Sequence, residues 1–422
     1  MKRRSLRIFL SLLAAVGFVA GAAVAPPAQA AQALSDFYNT TSIHRVNLTI
    51  EQASINNLGS QPKTYTAARV EFVTASNRSS GLIDIGLRLK GSTSLDKLTG
   101  KPSLKIKFNW DALKGNRFLG LKAMTLNAMT QDTSMIHEAS AYRFMNLLGL
   151  PASKTGYAEV FINGVSKGLY LNVETPDDVF LSKRFTNPTQ HLYEAQAFRD
   201  LLFGNDGGTD IKGAYLVDEG WKTTPNKKDL TKLIQVANLN DNAQWWSKLN
   251  TYTDRTLLIR TFAVENLLGH WDSYSGPIIN NHFWRSDDKG KFTMIPWGVD
   301  QTFGENRATT TILLDDYFFA MDARDVGYPW VKIANKKDVL PRGLLFQRCL
   351  DYKPCKTAYL TELKSVSAKA TSYKLSTIMN SYAKLIKGYS STGAINEQKR
   401  SIAWLAKQQT TVTALMKKYG IK

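Results

Sequence analysis

The sequence predicts an α+β protein, and three observations carry that reading. Apolar residues recur with period two through most of residues 46–174, as strands require. One helical stretch interrupts them at about residues 134–148, and from about residue 230 onward the pattern turns helical. Hydrophobic residues make up 43% of the chain and aromatic residues 11%, which fills a sizeable core and excludes a disordered chain.

The elements follow in order. Val46–Ile50, Ala67–Val73 and Leu82–Lys90 alternate as strands, and a Gly/Ser-rich loop (91–100) separates the third from Leu104–Phe108. That loop is longer than a tight hairpin needs. The helix at 134–148 is introduced by Asp132, Thr133 and Ser134 and stops at Gly149, with Pro151 beyond. It is apolar on two sides and carries Glu138 on one of them, so that carboxylate needs a cationic or hydrogen-bonding partner. Asn163-Gly164 marks a hairpin between Tyr157–Ile162 and Gly168–Glu174. Short helices are expected at 230–237 and 244–249, then a longer one at 254–268, capped by Thr253 and ended by Gly269. A loop (270–279) leads to a hairpin with arms Asn281–Trp284 and Phe292–Ile295. Two amphipathic helices close the chain, one through Ile378–Ile386 and one through Ile402–Leu415.

The ends indicate compartment. Lys2, Arg3, Arg4 and Arg7 precede an apolar run, and Ala28-Gln29-Ala30 supplies small residues for cleavage. This pattern predicts a secretory leader over residues 1–30, of Sec type rather than the loose twin-arginine match, and a mature chain without a transmembrane anchor. The formal charge is +19, or +15 without the leader's basic residues, and residues 351–422 alone carry a net +10. Solvated helix faces explain most of it; attraction to an anionic cell-wall or coat polymer is the functional alternative. No Arg/aromatic interleaving points to nucleic acid. Cys349 and Cys355 read as one small disulfide loop in an exported chain, and five histidines argue against zinc catalysis. Asn205–Asp210 lacks the ligand spacing of a calcium loop and reads as a turn.

The polar residues at element ends reproduce the order of a phosphoryl-transfer site: a loop over phosphates, a strand lysine, a helix carboxylate, a catalytic-loop Asp and Asn, and a metal-binding Asp after a hairpin. Here these are Lys107 (or Lys105 on the same face), Glu138, Asp272, Asn281 and Asp300. Strand alternation would turn only one of Asn280 and Asn281 inward. The usual HRD-x4-N, DFG and GxGxxG strings are absent.

With these residues in place the chain resembles the CotH family of spore-coat protein H kinases over nearly its whole mature length. The resemblance rests on Arg88-Leu89-Lys90-Gly91-Ser92, Lys101–Lys107, the Glu138 helix with Gly149-Leu150-Pro151, and Ile162-Asn163-Gly164 with Gly168-Leu169-Tyr170 and Glu174. It continues through Asp178 with Phe180-Leu181, Trp271-Asp272, Asn280-Asn281 and Pro296-Trp297-x-x-Asp300-x-x-Phe303-Gly304. It implies an atypical protein-kinase-like, two-lobed fold that binds ATP with Mg²⁺ or Mn²⁺ and phosphorylates Ser/Thr of a protein substrate. A β-rich N-lobe would span 31–175 and a mostly helical C-lobe 176–350, completed by basic helices over 351–422. Asp272 would serve the acceptor hydroxyl, and Asn281 and Asp300 would hold the metal. Lys107, steadied by Glu138, would contact the phosphates, with Arg88, Lys90, Ser92 and Glu174 around the nucleotide. Two departures stand out: Gly298 replaces an acid of the family's Trp-Asp-x-Asp, and Arg88-x-Lys90-Gly91 replaces Arg-x-Arg-Gly. A non-catalytic envelope-assembly protein of the same fold is the rival expectation.

Overall fold

The computed structural model describes residues 37–91, 94–276, 279–304 and 342–421. The leader and Ser92 lie outside them.

The described residues form an α+β structure on two sheets, the first a closed barrel. Strand β1 (Ile43–Thr49) is followed by helix α1 (Gln52–Ser60), β2 (Thr66–Val73), β3 (Ser79–Lys90), β4 (Ser103–Lys107) and β5 (Ala123–Asn127). Helix α2 (His137–Leu147) leads into the hairpin β6 (Thr155–Ile162) and β7 (Val165–Val173). Asn163 and Gly164 take the positive φ values, 49° and 80°, that an Asn-Gly hairpin turn demands. The order around the barrel is β1-β2-β3-β4-β5-β7-β6, closed by parallel pairing of β1 with β6. Alternation sends Leu87, Leu89, Leu104, Ile106 and Leu126 into the barrel, leaving Arg88, Lys90, Lys105 and Lys107 on its outer face.

After helix α3 (Asp178–Arg184) come β8 (Thr189–Ala195), β9 (Tyr215–Glu219), helices α4 (Lys228–Ala237), α5 (Asn242–Tyr252) and α6 (Arg255–Leu268), then β10 (His282–Asp287) and β11 (Phe292–Pro296). The second sheet runs β11-β10-β8-β9. Helices α7 (Leu344–Asp351), α8 (Lys353–Ser372), α9 (Leu375–Leu385) and α10 (Thr392–Lys418) complete the chain. Cys349 and Cys355 form the expected disulfide where α7 meets α8.

Among the described residues two large hydrophobic cores result, one inside the barrel and one shared by the second sheet and the helices, with a small third cluster around Phe180, Leu192 and Phe283. Helix α2 belongs to the second core through Ile136, Ala139, Tyr142 and Met145, and barrel strand β7 packs Leu169, Leu171 and Val173 against the same core from outside. The helix is therefore buried on two sides, as its pattern required.

Two local expectations are corrected. Asp254, not Thr253, caps α6: its carboxylate accepts from Leu257 N, whereas the Thr253 hydroxyl donates back to Leu249 O. The caps ahead of α2 act from further upstream than expected, Ser134 accepting from Ile136 N and Asp132 from Glu138 N. The Asn205–Asp210 turn is held by a protein cation, since Lys227 Nζ donates to Gly207 O and Tyr215 O.

Candidate functional site

The outer face of the barrel and the loops at the ends of α6, β10 and β11 enclose a cleft of about 150 Å³. Lys90, Gly91, Asn127 and Glu138 line one wall, and Asp272, Asn280, Asn281, Gly298 and Asp300 line the other.

The second wall is set by how α6 ends. Gly269 takes φ +62° to stop the helix, and a Cβ there would lie 2.7 Å from the Trp404 ring of α10. Only glycine meets both conditions. The loop then folds back over Glu265, which is fully buried and accepts from Ser275 N and Ser275 Oγ at 3.1 and 2.6 Å. Burial pushes the Glu265 carboxyl up to about 7. This clamp presents Asp272, whose Oδ2 accepts from Asn280 Nδ2 at 3.0 Å and Asn281 Nδ2 at 2.8 Å. Both asparagines therefore face the cleft, against the expectation that alternation admits one. The reason is local: Asn281 has φ +38° just before β10, and alternation does not extend through it.

Asn281 Nδ2 also donates to Gly298 O at 3.3 Å, so its amide nitrogen is engaged with protein and its carbonyl oxygen is the atom left to meet a cation. Gly298, at φ +56°, is fixed from three directions. Its N–H donates to the Tyr142 hydroxyl, its carbonyl accepts from His270 Nε2, and a Cβ on it would stand 2.7 Å from the Asn281 amide. The space an acid would need at this position is occupied by Asn281. Two residues on, Asp300 enters the cleft with Gln301 N donating to its Oδ1.

The electrostatics of the cleft are dominated by carboxylates. Burial raises the Glu138 carboxyl well above its ordinary value, the charge of Asp300 raises it further, and Lys90 opposes both. Burial likewise raises Asp300, again opposed by Lys90 and reinforced by Asp132. Glu138 takes its hydrogen bond from Asn127 Nδ2 at 2.7 Å, and Lys90 acts on it through space, its ammonium lying over the Trp297 ring. One lysine thus shares the cleft lining with three acids, Glu138, Asp272 and Asp300, an excess that favours a cation.

The oxygen donors suit magnesium or manganese. Asp300 and the Asn281 carbonyl are hard ligands, and Mg²⁺ is commonly held by one or two carboxylates together with phosphate oxygens. Among the described residues no three His, Cys, Asp or Glu side chains gather into a self-sufficient cage.

The structure brings together Asp272, Asn281, Asp300, Glu138 and Lys90 and leaves other expected residues elsewhere. Lys107 does not line the cleft. The register pairs Lys90 with Ser103 and Gly86 with Lys107, so Lys107 sits about 13 Å further along the sheet, its ammonium over Tyr65. Arg88 lies over the same ring, and with Lys105 it acts on Asp218. Glu174 is turned away because Val173 already points into the cleft; its carboxylate holds Arg184 Nη2 at 2.5 Å and accepts from Lys154 N. Sequence reasoning missed Asn127, the buried Asp132 as an acid acting on Glu138 and Asp300, and Tyr142. The spacing of Tyr142, one helical turn after Glu138, was the signal available for it.

The sequence that builds this barrel and cleft matches a known family. The family model described as CotH kinase protein matches residues 87–417, and the chain belongs to that family. It is similar to the inner spore coat protein H of Bacillus subtilis (strain 168), at 26% identity over 226 residues, 53% of this chain and 60% of that protein. It is also 38% identical over 56 residues to an inner spore coat protein H-like protein of the same organism, covering 13% of this chain and 18% of that one. The chain thus spans less than two thirds of the length of these curated relatives.

Proposed function

We propose that the chain is an exported CotH-type kinase of two-lobed, kinase-like architecture, which transfers the γ-phosphoryl group of ATP to Ser/Thr hydroxyls of an extracellular, coat or envelope protein. The observation that carries this reading is the convergence of Asp272, Asn281 and Asp300 on one cleft whose opposite wall holds Lys90 and Glu138. Membership of the family and the coat-protein names of its relatives support it. Among the described residues no helix is long and apolar enough to cross a membrane.

In this reading Asp272 accepts the proton of the acceptor hydroxyl as its oxygen forms the new bond to the γ-phosphorus and the bond to the β-phosphate oxygen breaks, releasing ADP. The two asparagine amides keep the Asp272 carboxylate aimed. Lys90 replaces Lys107 in the role of phosphate-contacting lysine, with Glu138 and Asn127 behind it. Asn281 and Asp300 would hold Mg²⁺ or Mn²⁺, which supplies charge neutralisation on the phosphates.

The test is Mg²⁺- or Mn²⁺-dependent ATP binding and autophosphorylation by purified mature protein, with Asp272→Ala and Asp300→Ala alongside. Wild type that binds no nucleotide, or that behaves like both variants, would sink the reading. A second reading, a non-catalytic envelope-assembly protein of this fold, is favoured by Gly298, whose position admits no further carboxylate. ATP binding with no transfer to any protein would select it.

A further inference from the structure

A second concavity is larger than the cleft. A groove of about 1140 Å³ opens on the other side of α2, bordered by residues 38–41, the start of β6, α3 and α9. Its charge is opposite to that of the cleft. Arg143, Lys154, Lys183 and Lys384 line it, and among the described residues none of the four has a carboxylate within ion-pair distance. The one acid on its wall, Glu174, is already committed to Arg184. Arg143 lies close enough to the Tyr382 hydroxyl to act on it electrostatically, and Thr40 Oγ1 donates to that hydroxyl at 2.8 Å. Tyr38 lines the groove too, and its buried hydroxyl has no hydrogen-bond partner among the described residues. An unpaired buried hydroxyl is costly, and so is a set of like charges facing one space. An anionic ligand relieves the mutual repulsion of the cations.

We propose that this groove docks an extended acidic segment of a partner protein. The charge fixes the sign of the occupant, and two features favour a peptide over a bare polyanion. Ile378, Tyr382 and Leu385 line the groove together with the cations, offering apolar contacts that a phosphate polymer cannot use. The four cations also come from four different parts of the fold, Arg143 from α2, Lys154 from just before β6, Lys183 from α3 and Lys384 from α9, which suits successive side chains of an extended strand. The site is separate from the cleft, and its occupation does not depend on nucleotide or on catalysis.

The experiment is fluorescence anisotropy without nucleotide, using a labelled eight-residue peptide of alternating glutamate and leucine, its lysine–leucine counterpart, and polyphosphate of matched charge. The acidic peptide binds wild type and the lysine peptide does not, and binding weakens as salt rises. Lys154→Glu/Lys384→Glu weakens binding at least tenfold, whereas Lys407→Glu/Lys417→Glu, an equal charge change at exposed positions of α10, leaves it within twofold. Asp300→Ala leaves it unchanged, so failure of the kinase reading does not decide this one. Circular dichroism confirms that each variant folds. Absence of peptide binding, equal loss in both double variants, or polyphosphate binding as tightly as the peptide would each overturn the proposal.

Discussion

Helix α2 separates two regions of opposite character. On one side Glu138 lines a small cleft rich in carboxylates, with buried Tyr142 bonded to Gly298 of its wall; on the other Arg143 and Asn146 face a wide groove lined with cations. The cleft is built from half-buried groups fixed by several hydrogen bonds each, such as the Asp272 carboxylate between two amides and the Gly298 backbone between Tyr142 and His270. The groove's cations are exposed. On the proposed reading, one helix serves both chemistry and recognition. Fixed geometry costs desolvation and is confined to a small volume, while long-range attraction needs only unpaired charge over a broad surface.

The sharpest way to break the comparison is Asp300→Ala. Phosphoryl transfer should fall at least about a thousandfold, on the order of 4 kcal/mol, while acidic-peptide binding in the groove persists. Chelation with EDTA should reproduce the loss of transfer in wild type.

Glu265→Gln tests the clamp under the cleft wall. The folded carboxyl titrates near 7 against an ordinary 4.5, so the folded state holds its proton over that window while the unfolded state has lost it. Stability therefore falls as pH rises from about 4.5 to 7, by up to roughly 3 kcal/mol from this group. The glutamine variant should lose that part of the slope and gain stability at pH 7.5 relative to pH 5. Denaturant melts at the two pH values measure it, and parallel curves for wild type and variant would refute the clamp's titration.

Gly298→Ala should cost about 2 kcal/mol, because its Cβ meets the Asn281 amide at a positive φ. Nucleotide affinity should fall with it, whereas groove binding should not. The smallest expected effect separates two lysines on one face: Lys90→Met should weaken ATP binding about tenfold, near 1.4 kcal/mol, and Lys107→Met should stay within about twofold. A larger effect of Lys107→Met in titration calorimetry would return the phosphate role to Lys107, and equal effects would remove the distinction between the two.

Much of this was legible beforehand. Period-two runs located six of the seven barrel strands, and the Asn163-Gly164 turn followed from its residues. Asp272, Asn281 and Asp300 were readable because each stands at an element end, where sequence order fixes which loop carries it. β5, β8 and β9 were not foreseen. Ala123–Asn127 and Thr189–Ala195 mix polar and apolar residues, and pairing with β4 and β10 makes them strands.

The sequence by itself determined the α+β class, the faces of the strands, the buried carboxylate on α2 and the order of the polar residues, because all of these depend on local period and on residue type. Tertiary structure decided which cations stand near which acids. Lys90 and Lys107 share a face, and only the register of β3 against β4 places one at the cleft and the other beside Tyr65. Glu174 and Val173 differ by one step of a strand, and that step puts one in the groove and the other in the cleft. Asn281 departs from strand alternation through a single backbone angle. Pairing, register and dihedral strain are set by contacts distant in sequence, and no local pattern carries them.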